Sequence, residues 1–343
     1  MTRKETIDAL LEGRQNGRPL LFPFLLGFCA RNVGFPISEI YSDAEKSFDA
    51  QMKTIEQYGF DWGPIYGYAS YGTWEFGGAV KMPSGTYEQA PLHTMFPVQD
   101  ESDLLEIALP DVKTAGCLPI AMAFSRLQAE HAIPITFVSG GSFTVAGNIC
   151  PVEKLCRWML KKPELAHRVL RLATDHIVDI THYWADTFGA AQVIPLLWEP
   201  LASNQIISPK LFEKMVLPYL VESSEKILAM GIKHIFYHIC GDQNANLARW
   251  REVPMGDPGI CSFGAEIDIA KAIEVMGDDA IIVGNIDTNI ILNGPAHEIY
   301  GLCKDAIEKG KNAPRGFMLS SACEVSPNTP GYNVYLMKKA AGE

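Results

Sequence analysis

A histidine and a cysteine stand two residues apart in Tyr237-His238-Ile239-Cys240-Gly241, directly after an apolar run. On a β-strand, residues i and i+2 point to the same side. The spacing therefore aims an imidazole nitrogen and a thiol sulfur together from the end of one strand. A second sulfur, Cys323 in Ser320-Ser321-Ala322-Cys323, follows another strand-like run far along the chain. These donor types suit zinc, which favours imidazole and thiolate ligands in tetrahedral geometry. His238, Cys240 and Cys323 would fill three positions and leave the fourth to water, a carboxylate or substrate. That is the pattern of a catalytic ion rather than a structural one. The competing reading is a core histidine and two buried thiols.

Residues so far apart converge only if the fold brings several strand ends to one place. Strand-like runs occur at 19–27, from 60, and at 134–139, 192–198, 233–238, 259–264, 280–284 and 316–320. Helical patterns separate most of them, including 44–58 after a capping box, 151–188 broken near Pro163, and 209–230 with a kink expected at Pro218. Alternating strands and helices imply a parallel sheet, and about eight strands imply an α/β (β/α)8 TIM barrel. An open doubly wound sheet is the alternative. It normally brings a glycine-rich phosphate loop after an early strand, whereas the first strand here ends Leu26-Gly27-Phe28. We expect one barrel domain over 1–343. It carries an N-terminal helical extension at 1–18. An irregular insertion after the second strand, with its helices, covers about 69–132 at the barrel mouth. In such a barrel the active site lies at the C-terminal strand ends. Glu199, His238, Cys240, Glu266, Asn285, Asp287 and Cys323 all fall there.

Composition narrows the partners. Forty acidic residues against 29 basic ones give a net charge of −11, which argues against nucleic acid. The charge fits a cytoplasmic protein. No apolar run approaches the roughly 20 residues that span a bilayer, and the N-terminus leads into an amphipathic pattern rather than a signal peptide. The eight cysteines show no disulfide pattern. Cys29, Cys117, Cys150, Cys156, Cys261 and Cys303 have no partner at diagnostic spacing and read as small core residues.

Three stretches carry a family resemblance over nearly the whole chain: His238-Ile239-Cys240-Gly241, Gly284-Asn285-Ile286-Asp287, and Ser321-Ala322-Cys323-Glu324-Val325-Ser326-Pro327-Asn328-Thr329-Pro330. Leu201-Ala202-Ser203, Ile207-Ser208-Pro209 and Pro218-Tyr219 add to it. With these the chain resembles the uroporphyrinogen decarboxylase superfamily, in particular its corrinoid-dependent methyltransferase branch, which includes methylcobamide:coenzyme M methyltransferases. It departs from the family's usual Glu-Asn after the Thr-Pro segment, carrying Tyr332-Asn333 instead.

The resemblance implies that His238, Cys240 and Cys323 bind zinc. It also implies a methyl group moved between a methylated corrinoid (cobalamin), carried by a separate protein, and a small acceptor. The simplest acceptor is a thiol activated as zinc thiolate. Glu266 is the expected exchangeable ligand, with Glu199 as its rival or as a substrate-orienting group. Asp287 is either a partner of a ligand or a helix cap. Asn285 shapes the loop or touches substrate. Tyr66, with Trp62, Tyr68 and Trp74, forms either a wall for the corrinoid or ordinary core. The alternatives are the demethylating half-reaction that loads the corrinoid, a decarboxylase-like lyase, and a non-catalytic metal- or corrinoid-binding module. The lyase is disfavoured because the stretch from Arg18 to Gly27 is apolar after its first residue, where true decarboxylases gather arginines.

Overall fold

The computed structural model describes residues 2–14, 17–85 and 88–342. Its main sheet has seven parallel strands: β1 (Leu20–Leu21), β4 (Ile135–Val138), β5 (Val193–Trp198), β6 (Phe236–Ile239), β7 (Gly259–Phe263), β8 (Ala280–Ile286) and β9 (Phe317–Ser321). Their order is β1-β9-β8-β7-β6-β5-β4. The sheet is curled, with helices following the strands, in a TIM-barrel-like arrangement. Helices cover the strands, and nearly every strand residue is buried. This is why the strands read as unbroken apolar runs rather than alternating ones. A separate antiparallel pair, β2 (Ala79–Lys81) and β3 (Leu92–Met95), lies in the expected irregular region.

Two of the expected strands are corrected. Residues 19–27 pair only briefly, because Pro23 has no N–H to donate. The Phe22 N–H still reaches Leu319 O, and the Phe24 N–H turns to Ser321 Oγ. A helix then begins, Leu26–Val33, where the apolar run suggested more strand. The segment from residue 60 occupies the place of a second strand without forming a ladder. Instead, backbone bonds tie it to one neighbour and side chains to the other. The Asp61 and Trp62 N–H groups donate to Leu21 O on the β1 side. Trp62 Nε1 donates to Thr136 Oγ1 on the β4 side. Gln51 bonds both the N–H and the C=O of Ile65, and Gln128 Nε2 bridges Pro64 O and Thr136 O.

The long helical stretch does break at Pro163, into Val152–Lys161 and Pro163–Phe188. Around Pro218 the expected kink takes the form of a widened π turn, Phe212–Val216, ahead of the helix Leu217–Ala229. Two helices that start at strand ends were not legible: Ser142–Ile149 after β4 and Thr288–Asn293 after β8. Among the described residues no helix is long and apolar enough to cross a membrane.

Candidate metal centre

His238 lies in β6 and Cys240 is the first residue beyond its end. Cys323 lies two residues past the end of β9. Three strand spacings separate β9 from β6, about 14 Å across a flat sheet. The curl of the sheet and the turn at Gly241 (φ +84°) close that gap. The two sulfurs stand 3.8 Å apart. Together with a ring nitrogen of His238, the three ligand atoms lie within 4.8 Å of one another. Two sulfurs held about 2.3 Å from a tetrahedral zinc would also stand about 3.8 Å apart, so the donor set fits the ion.

The histidine is oriented by its neighbour strand. The register pairs His238 with Ser262 of β7, and His238 Nδ1 meets Ser262 Oγ at 2.7 Å. This leaves Nε2 to face the sulfurs. Phe24 packs edge-on against the imidazole at 4.8 Å. The two thiols hold their protons unequally. Cys323 is pulled down, chiefly because it accepts a hydrogen bond from Cys240, with His238 adding to the effect. Cys240 is pushed up as the donor and by burial, with Glu266 adding like charge. One sulfur is thus ready to act as a thiolate ligand, and a metal would displace the other proton. The remaining six cysteines are also unpaired thiols; five are buried, and Cys156 is half-buried.

The carboxylates have separate positions. Glu199 is fully buried and faces the N-terminus of the helix Ser142–Ile149. It accepts from the N–H of Phe143 (2.9 Å), the N–H of Thr144 (2.7 Å) and Thr144 Oγ1 (2.6 Å). Burial still pushes it up to about 7. Asp287 is a helix cap, accepting from the N–H of Asn289 and Ile290. Glu266 is exposed, and its carboxylate folds back beside Gly264, whose Cα also faces the Gly241 N–H. Asn285 spends its amide on Gly264 O and Ile267 O, both at 2.7 Å, and so braces the loop that carries Glu266. Tyr66 is buried, with its hydroxyl on Tyr41 O and its ring against Phe124. Trp62 and Tyr68 are buried core as well. Tyr66 therefore sits as ordinary core in this structure, the second of its two expected readings.

Two contributors were missed. Ser262 is the one polar residue in the run Gly259–Phe263, a signal that marks a buried partner but not which one. Glu324 follows Cys323 directly and lines the same cavity of about 80 Å³ as His238, Cys240, Cys323, Phe24 and Trp198. Its carboxyl accepts from Tyr41 Oη (3.2 Å) and the Gly27 N–H (3.4 Å). Burial lifts Glu324 to about 8, with Cys323 adding to the shift.

Comparison with known proteins places this geometry in a family. The methylated-thiol–coenzyme M methyltransferase of Methanosarcina mazei is 29% identical over 244 residues, which is 69% of this chain but only 62% of that protein. A methylcobamide:CoM methyltransferase of Methanosarcina barkeri is 27% identical over 76% of this chain and 73% of its own length. A solved methyltransferase structure from Methanosarcina mazei superposes with a TM-score of 0.84 over 99% of this chain and 98% of its own, at 22% identity, and so shows the shared fold. The uroporphyrinogen decarboxylase (URO-D) family model matches residues 2–343, and the chain belongs to that family.

Proposed function

We propose that the protein is a zinc-dependent methyltransferase. It moves a methyl group between the methylated corrinoid of a separate carrier protein and a small acceptor, most simply a thiol. The observation that carries this reading is the His238–Cys240–Cys323 cluster, three soft ligands at the strand ends with a cavity beside them. The names of the relatives, which specify methylcobamide, methylated thiols and coenzyme M, support it. Bound zinc would lower the pKa of an incoming thiol, so that the acceptor is a nucleophile at neutral pH.

The chain's own residues do the rest. Ser262 fixes the imidazole so that Nε2 faces the ion. Phe24, Leu26, Trp198 and Pro200 form apolar walls that keep water from the acceptor sulfur. Glu266, beside Cys240, is the proposed carboxylate for the fourth position in the resting enzyme. Glu199 is committed to a helix end and is less suited to that role. The decarboxylase reading finds no support in Arg18, whose guanidinium is paired with Asp61 at 2.7 and 2.9 Å, near the N-terminal end of β1.

The test pairs metal analysis with turnover. Purified protein should hold about one zinc per chain and transfer methyl from methylcobalamin to a thiol. Cys323→Ala should lose both metal and turnover. A Cys323→Ala protein with full zinc and full activity would rule the site out.

A further inference from the structure

The loops that follow β5, β6 and β7 are stapled to one another, and to β8, by asparagine amides. Asn246 Nδ2 donates to Ala202 O at 3.1 Å, and Asn204 Oδ1 accepts the Ala245 N–H at 3.0 Å, so the loops after β5 and β6 hold each other. Asn244 Nδ2 reaches Glu266 O, at 2.9 Å, in the loop after β7. Asn285 of β8 reaches Gly264 O and Ile267 O in that same loop. Cys240 opens the loop after β6. Its neighbour Gly241 runs close against the loop after β5, where a Cβ would come within 3.0 Å of Ser203 Cβ. The joint between these two loops therefore bears on where the Cys240 sulfur sits.

That joint carries more amide than it pairs. Gln243 and Asn246 are fully buried. Gln243 Oε1 accepts from Trp250 Nε1 at 3.0 Å and from Asn246 Nδ2 at 3.2 Å. Left over are Gln243 Nε2, Asn246 Oδ1 and Asn204 Nδ2, three buried atoms with no partner among the described residues. Exchanging nitrogen and oxygen within any of these amides removes nothing. The Trp250 indole N–H fixes the Gln243 oxygen, the Ala202 carbonyl fixes the Asn246 nitrogen, and the Ala245 N–H fixes the Asn204 oxygen. Buried polar groups are nearly always paired, with protein or with ordered water.

The three atoms belong to one knot, since Asn246 is bonded to Gln243 and Asn204 holds the residue just before Asn246. Two are donors and one is an acceptor. A metal cation would face two NH2 groups, and an anion would face a carbonyl oxygen. Water can accept from both donors and give a hydrogen to the carbonyl, which makes about three bonds, the usual number for an internal water. We propose that the joint binds an internal water, which accepts from Gln243 Nε2 and Asn204 Nδ2 and donates to Asn246 Oδ1. The water completes the tie between the loop after β5 and the loop that Cys240 opens. The inference goes beyond the methyltransferase reading and stands without it, since neither arm of its test uses metal or turnover.

A high-resolution crystal structure of the full chain is the first arm. It should show a water within about 3.2 Å of Gln243 Nε2, Asn246 Oδ1 and Asn204 Nδ2. Oxygen-17 magnetic relaxation dispersion is the second arm, because it reads waters held longer than the protein takes to tumble. Asn246→Leu, close in size but without a carbonyl to receive the water, should show a smaller long-lived component than wild type. Asn244→Ala, which removes an amide of the same belt but none of the three unpaired atoms, should leave that component unchanged. The crystallographic arm decides alone if Asn246→Leu fails to fold. Side chains turned so that Gln243 Nε2 and Asn246 Oδ1 pair directly with protein, an ion in place of the water, or an unchanged dispersion in folded Asn246→Leu overturns the proposal.

Discussion

His238 Nδ1 and Ser262 Oγ are 2.7 Å apart on paired positions of adjacent strands, both buried. The serine therefore sets the ring rotation of a proposed metal ligand. Partners of this kind typically account for 10- to 100-fold in metal affinity. Ser262→Ala should weaken zinc binding by roughly tenfold or more, measured by competition with a chromophoric chelator. The unfolding midpoint of the metal-free protein should change little. Ser262→Thr, which keeps the hydroxyl, should recover part of the affinity. Unchanged zinc affinity in Ser262→Ala would show that packing against Phe24 alone orients the imidazole.

Glu199 separates a helix-closing role from a ligand role. Its two oxygens take three donors from Phe143 and Thr144. In Glu199→Gln the amide NH2 replaces one acceptor, so at least one buried donor loses its partner, at a cost of about 1–3 kcal/mol. The variant should be less stable in urea but keep its zinc; loss of zinc with stability unchanged would instead make Glu199 the fourth ligand. The pH dependence has a definite sign. The folded-state value of about 7 lies above the ordinary carboxyl value of 4.5, so the folded protein binds the extra proton. The contribution from Glu199 is full below pH about 4.5 and declines as pH rises to about 7. The stability gap between wild type and Glu199→Gln should shrink over that window.

Six of the eight expected strand positions were legible because a parallel strand covered on both faces must be apolar throughout, and turn residues bound each run. The convergence of His238, Cys240 and Cys323 was legible for a related reason. Two-residue spacing fixes the direction of His238 and Cys240 once the strand is accepted, and the strand-end rule then supplies Cys323. What depended on pairing between distant segments was not legible. Ser262 meets His238 through a register that no local pattern encodes. Glu324 finds Tyr41 and Gly27 nearly 300 positions away. The helix Ser142–Ile149 was hidden by its sequence, SFTVAGNI, whose β-branched residues and glycine do not announce a helix. Without that helix, the role of Glu199 had no visible cause.

His176 lies inside the helix Pro163–Phe188, fully buried, with Phe76 edge-on at 4.9 Å. Neither ring nitrogen has a hydrogen-bond partner among the described residues. Burial holds its pKa down to about 3, against 6.5 for the free side chain. The unfolded chain therefore takes up a proton below pH 6.5 that the folded protein refuses. Stability from this group is full above pH about 6.5 and is lost progressively as pH falls toward about 3. At pH 4 the loss amounts to about 3 kcal/mol. His176→Leu should flatten the fall in urea-unfolding free energy between pH 6.5 and 4 relative to wild type. Parallel curves for the two proteins would mean that water or local opening already lets the imidazole charge.

The seam between β1 and β4 is closed by side chains where a ladder is missing, and it yields the last prediction. Gln51 gives its NH2 to Ile65 O at 2.8 Å and takes the Ile65 N–H on its carbonyl at 3.0 Å, as a neighbouring strand would. Gln128 joins Pro64 O to Thr136 O from the other side. Leucine at either position is close in size but makes no hydrogen bonds. Gln51→Leu leaves a buried N–H and C=O unpaired and should cost about 2 kcal/mol or more. Gln128→Leu leaves two carbonyls without a donor and should cost somewhat less, since an under-used carbonyl is better tolerated than an orphaned N–H. Hydrogen exchange offers a local check: the Ile65 amide should lose protection in Gln51→Leu, while the Phe236 amide in β6, across the sheet, keeps its own. A Gln51→Leu protein as stable as wild type, with Ile65 still protected, would mean that packing of Trp62 against Phe22 and Phe236 holds the seam without help from the amides.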